Sequence, residues 1–121
     1  MSEPSKPRPR IRLKMGDEIA FGPGKAQLLG LIDQHRSISG AARAMGLSYR
    51  RAWLMVETMN RCALSPLVVT ATGGRRGGGA HLSTLGVDTL ERFRRLEQTL
   101  TSLPEFKEFA SAFDQPDDQT P

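Results

Sequence analysis

A mainly α-helical fold carrying one small β-hairpin is the class this sequence predicts, on three observations. Apolar residues recur at helical spacing through most of the chain, in segments punctuated by Pro, Gly and Ser. Two of those segments, "ISGAARAM" and "YRRAWLMVETMN", are separated only by the break "GLS". Two short extended stretches follow, flanking a run in which five glycines crowd around Arg75 and Arg76.

Taken in order, residues 1–10 alternate Pro with Lys and Arg, which predicts a disordered, polyproline-like basic arm. In "IRLKMGDEIAFG" the apolar residues at 11, 13 and 15 have a period of two before a Gly-Asp break. That pattern predicts a short strand and a turn. Pro23 suits the first position of a helix over roughly 23–35, with Leu28, Leu31, Ile32 and His35 on one face.

Ile38, Ala41, Ala42 and Met45 mark a second helix, capped by Ser37 or Ser39 and ended by Gly46 in the left-handed conformation. Ser48 then caps a third helix to about Asn60, with Ala52, Val56 and Met59 as its apolar face and Trp53 assigned to the core beside them. Small side chains at 41, 42 and 52 let the two helices approach closely. A short helix, a tight turn and a longer helix make a helix-turn-helix. "SPLVVTATGG" and "GGAHLS" read as two strands joined by the glycine tip, which makes the whole a winged helix-turn-helix. "STLGVDTLERFRRLEQTLTSL" has apolar residues at 85, 90, 93, 96, 100 and 103 and predicts a long amphipathic helix. Pro104 interrupts it, and "EFKEFASAF" reads as a further helical piece before a frayed acidic tail.

Charge is distributed unevenly along the chain. Its net +4 divides into +2 over residues 1–35, +6 over 36–81 and −4 over 82–121. The middle carries seven Arg against the single acid Glu57, an anion-binding balance. The basic start has no apolar core of a secretory signal, and no apolar run approaches the roughly 20 residues of a membrane span. One cysteine, Cys62, forms no internal disulfide, and a soluble cytoplasmic protein with no membrane partner is expected.

The glycine–arginine tip fits phosphate, but not a nucleotide cofactor. It lacks the Lys and following hydroxyl of a P-loop, and no helix opens at its glycines as a dinucleotide fingerprint requires. His35, His81 and a lone Cys make no metal cluster, and no catalytic residue, cofactor or metal is expected. Cys62 reads as a small, semi-buried apolar residue.

"GLSYRRAWLMVETMN" followed by "LVVTATGGRRGGGAHLSTLG" resembles the N-terminal winged helix-turn-helix domain of the ModE family of bacterial molybdate-responsive regulators. The similarity rests on "LSY-x-x-AW", the "MN" at the helix end and the "ATGG-x-x-GGG-A-x-L" wing, and covers about residues 11–103. The helix-turn-helix is more distantly similar to that of LysR-type regulators. The resemblance implies a dimeric DNA-binding repressor or activator, with dimer contacts through the helices around the winged domain. Full-length members also carry C-terminal oxyanion-binding modules with an "SARNQ"-like segment. No such segment occurs in these 121 residues, so molybdate binding is not expected of them.

The expected organisation is a basic arm over 1–10, a winged helix-turn-helix with its C-terminal helix over 11–103, and a short helical extension with a frayed acidic tail over 104–121. Ser48, Tyr49, Arg50 and Arg51 occupy the N-terminal turn that recognition helices present to base edges, and Leu54 lies on the same outward face. Arg75 and Arg76 would reach phosphate or the minor groove, and the arm either embraces the minor groove or stays solvated. The partner is then double-stranded DNA, bound as a homodimer that pairs through Leu96, Leu100, Leu103 and Phe106. Leu85 and Leu90 would face the domain's own core. Two other readings stay open. One is an RNA or single-strand binder using the tip, although the basic region offers only Tyr49 and Trp53 as stacking platforms. The other is a module that does not bind DNA and pairs with a full-length regulator.

Overall fold

Gly16, at a φ of 64°, turns the chain between β1 (Leu13–Met15) and β2 (Glu18–Phe21), an antiparallel pair. The computed structural model that shows this describes residues 6–71 and 79–113. The register is irregular between Leu13, opposite Phe21, and Lys14, opposite Ile19, so Ala20 is the extra residue of β2 and is buried beside Phe21. The sequence predicted one strand and a turn here; the structure has a hairpin.

Five helices follow the predicted order: α1 (Pro23–His35), α2 (Ile38–Met45), α3 (Tyr49–Cys62), α4 (Thr84–Ser102) and α5 (Pro104–Ala110). Pro opens α1 and α5, where a missing N–H costs no helical bond. Ser37, Ser48 and Ser83 cap α2, α3 and α4, each side chain accepting the N–H three residues on. Of the two serines proposed for α2, Ser37 is the cap, bonding the Gly40 N–H at 2.9 Å.

Between α2 and α3, Gly46 takes φ 70°, and the Leu47 N–H returns to the Ala42 carbonyl at 2.9 Å. That left-handed stop ends α2 and lets Ser48 start α3 two residues later. Ala41, Ala42 and Ala52 are all buried, so the two helices meet through small side chains. β3 (Val68–Thr70) and β4 (Ala80–Leu82) pair antiparallel directly after α3, with Val68 opposite Leu82 and Thr70 opposite Ala80. The result is a small winged-helix-like domain.

The core joins Leu28, Leu29 and Ile32 of α1 to Ala41 and Ala42 of α2, Val56 and Met59 of α3, and Leu90 and Phe93 of α4. Phe21 closes one end, edge-on to Phe93 with ring centroids 5.0 Å apart. Three sequence expectations are corrected here. Leu29 is fully buried whereas Leu31 is half-buried and His35 exposed, so the buried face of α1 is rotated from the predicted one. Trp53, expected in the core, is 43% exposed. Its position lies about 100° round the helix from Ala52, far enough for the indole to leave the α2–α3 contact. The third is the β1–β2 hairpin. Residues 6–10 have no regular secondary structure, with Pro7 and Pro9 half-buried.

Candidate nucleic-acid interface

The first turn of α3 is built to be displayed. Ser48 fixes it by accepting the Arg51 N–H at 3.1 Å, while Ala52 and Val56 anchor the inner face in the core. That leaves Ser48, Tyr49, Arg50, Arg51 and Leu54 exposed together, as their spacing predicts, with Trp53 beside them. No ion pair among the described residues engages Arg50 or Arg51. Both sit where the helix dipole is positive, which disfavours cations, so their placement adds nothing to the stability of α3. The field there is strengthened by Lys25 of α1. Its ammonium pKa is pushed below the usual range, first by burial and also by repulsion from Arg51 and Arg12.

The wing is attached to this unit by Asn60, on the last turn of α3. Its Oδ1 accepts the N–H groups of Leu67 and Val68 at 2.8 and 3.1 Å, and its Nδ2 donates to the Val68 carbonyl at 3.0 Å. One amide therefore satisfies three backbone groups at the foot of β3. The tip end of β4 is held by Arg36, whose carbonyl accepts the Ala80 N–H at 3.0 Å. Arg36 itself takes φ 58° at the end of α1, a left-handed non-glycine that puts this carbonyl at the strand. In the sequence Asn60 stands out only as part of a motif, because its partners lie seven and eight residues away, beyond any local pattern. Arg75 and Arg76, the predicted wing contacts, lie outside the described residues.

Below α3, Glu18 and Arg61 make a two-pronged ion pair, both contacts 2.7 Å. Arg61 is thereby committed to the hairpin, and its hydrogen bonds hold the Glu18 carboxyl below the usual carboxylate range. Cys62 is half-buried, with its Sγ 3.7 Å from Glu18 Oε1. Among the described residues no group of three or more His, Cys, Asp and Glu could hold a metal ion, and no helix is long and apolar enough to cross a membrane.

A second surface lies on α4 and α5. Leu90 is buried and Leu85 half-buried, as expected of the inward part of the stripe. Leu96 and Leu103 are exposed, and Leu100 and Phe106 are half-buried. Leu96 also lines a groove of about 440 Å³ with Leu13, Met15, Leu64 and Phe93, and Leu64 is wholly exposed. Phe109 and Phe113, not singled out in the sequence, form an exposed ring pair at 5.9 Å. Arg8 and Arg10 line a second, polar groove with Arg94 and Glu97 of α4.

No family model matches the chain. It is 44% identical over 91 residues to the molybdenum-pterin-binding protein MopA of Rhodobacter capsulatus, spanning 75% of this chain and 34% of that one. To the molybdenum transport protein ModE of Azotobacter vinelandii it is 41% identical over 88 residues, 73% of this chain and 33% of the other. To the DNA-binding transcriptional dual regulator ModE of Escherichia coli (strain K12) it is 35% identical over 88 residues, 73% and 34% of the two chains. The chain thus spans about a third of the length of the curated relatives it matches. Its homologues are Mop and ModE proteins, named as molybdenum-pterin-binding proteins, a molybdenum transport protein and transcriptional regulators.

Proposed function

We propose that the chain is the DNA-binding unit of a ModE-type transcriptional regulator and reads duplex DNA as a homodimer. The observation that carries this is the displayed first turn of α3, where Ser48, Tyr49, Arg50, Arg51 and Leu54 are exposed on a helix whose inner face is locked in the core. Arg50 or Arg51 reads a guanine O6/N7 edge, and Ser48 and Tyr49 hold phosphate or a base edge. Arg75 and Arg76 at the wing tip supply further phosphate or minor-groove contacts. The similarity to a DNA-binding regulator supports the assignment. The unit doing this work spans residues 11–103, with the basic arm before it and the helical extension and acidic tail after it.

Pairing through Leu96, Leu100, Leu103 and Phe106 places two recognition helices one duplex turn apart, roughly 34–36 Å. No step of the mechanism is catalytic. The oxyanion-binding segment of the resembling family is not found in residues 1–121, so the proposal assigns no molybdate site to them.

One observation favours a second reading. Tyr49 and Trp53 are both exposed, at 54% and 43%, which provides the two aromatic platforms that a single-strand binder stacks bases on. Competition between a labelled duplex and unlabelled single strands of the same sequence separates the two. Duplex must win at equal nucleotide concentration; preferential displacement by single strands favours the second reading.

A further inference from the structure

Trp53 is the one tryptophan of the chain, and its exposure is unexplained by the domain's own packing. Among the described residues the paired rings are Phe21–Phe93 and Phe109–Phe113, and Trp53 is in neither. Its helix already has a complete inner face in Ala52, Val56 and Met59. Three residues after Arg50 and four after Tyr49, it stands one turn along the same surface strip, beside Leu54, which is 40% exposed. A large apolar ring left at solvent within a basic surface is a feature of recognition sites rather than of stability.

The chemistry of the major groove narrows its target. Base edges there present hydrogen-bond donors and acceptors, which the arginines match, and one apolar group, the C5 methyl of thymine. An indole offers a broad apolar edge and a single N–H donor, so its surface is suited to that methyl. We infer that Trp53 is a specificity residue that packs against a thymine methyl in each half-site, beside the base pair read by Arg50. The inference rests on the duplex-reading assignment above and adds to it the identity of a contacted base.

Replacing thymine by deoxyuridine removes only the methyl, which makes the test direct. Sites are first selected from random duplexes with the wild-type chain, and each thymine is then replaced singly. One position per half-site should weaken wild-type binding about fourfold, the effect of withdrawing one methyl-sized group from an apolar contact. In Trp53→Ala the same replacement should change nothing, and in Leu54→Ala the fourfold loss should persist. Trp53→Phe, which keeps an apolar ring, should retain part of the sensitivity, and unchanged thermal unfolding shows that each variant is folded. The sole indole also reports on itself, with emission shifting to the blue on the selected duplex and less so on the uridine version.

Duplex binding that is tight and sequence-selective but insensitive to every methyl overturns the inference and leaves the DNA-reading assignment standing. So does sensitivity that survives in Trp53→Ala or disappears in Leu54→Ala. Absence of any selected duplex overturns both.

Discussion

Asn60 shows how one side chain can carry the geometry of an interface it need not touch. Removing its amide leaves the Leu67 and Val68 N–H groups and the Val68 carbonyl without partners at a half-buried site. Asn60→Ala should therefore cost about 1–3 kcal/mol of stability, read as a shift in the urea midpoint at unchanged slope. A midpoint equal to the wild type's would mean that these bonds are replaced by water without loss. Glu18 gives a pH-dependent case. Its carboxyl is depressed in the folded chain, first by hydrogen bonding to Arg61 and also by the guanidinium charge. A depressed carboxylate stabilises the fold above its unfolded pKa, near 4.5, and the benefit is lost as pH falls through the lower folded value. Wild type and Glu18→Gln should thus differ in melting temperature near neutrality and converge as pH drops below that range. Both partners are about half exposed, so the gap should be small and should shrink in high salt. A gap that widens on acidification would mean the pair is not what shifts Glu18.

At the level of elements, the wing is pinned to the body through Gly86. A Cβ at that position would overlap the Leu67 carbonyl, because the first turn of α4 lies directly on the entry to β3. The Ser83 hydroxyl tightens the same junction, donating to the Pro66 carbonyl at 2.7 Å. Gly86→Ala should cost 1–3 kcal/mol or more by forcing backbone apart, whereas Gly46→Ala should be strained only by its positive φ. Comparing the two by thermal denaturation checks this, and equal small losses would contradict it. On α3, if it reads DNA as proposed, Arg50→Ala or Arg51→Ala should relax preference at particular base positions, by about 1–3 kcal/mol for a two-pronged contact. Site selection with each variant measures it, and an unaltered preference in both would remove this face from readout.

The helix-turn-helix was legible because its signals are local. Ser37, Gly46 and Ser48 act on backbone groups within a few residues, so their chemistry appears in the linear order. Trp53, Leu29 and Leu31 were not, because a helical wheel places side chains at angles but cannot say which neighbour covers the flanks. The second strand of the hairpin was hidden for a related reason: Ala20, the extra residue at the register irregularity, fills the place between Ile19 and Phe21 with a third apolar side chain and blurs the alternation. Asn60, Arg36 and Gly86 act across chain folds and became readable only once β3 and β4 were in place.

Over the whole molecule, charge is divided between an arginine-rich middle and an acidic end. The +6 segment includes α3, β3 and most of β4, while the −4 segment includes α4 and α5 with their exposed Leu96, Leu103 and Phe109. That division suits a molecule that presents one region to DNA and another to a second copy. Sedimentation at micromolar concentration should show a dimer, and Leu96→Asp with Leu100→Asp should yield a folded monomer with much weaker binding. A wild-type monomer that occupies a palindromic site as one copy would contradict the pairing.

The most direct test of the recognition assignment is the salt dependence of duplex binding, measured by fluorescence anisotropy for the wild type and for the Arg50→Ala, Arg51→Ala double variant. If these guanidiniums meet DNA, wild-type affinity falls steeply with salt, each neutralised phosphate contributing about −0.9 to the log–log slope. The double variant should then bind more weakly at every salt concentration and lose its preference for the selected site. A double variant with wild-type affinity, slope and preference would show that the displayed turn of α3 does not touch DNA.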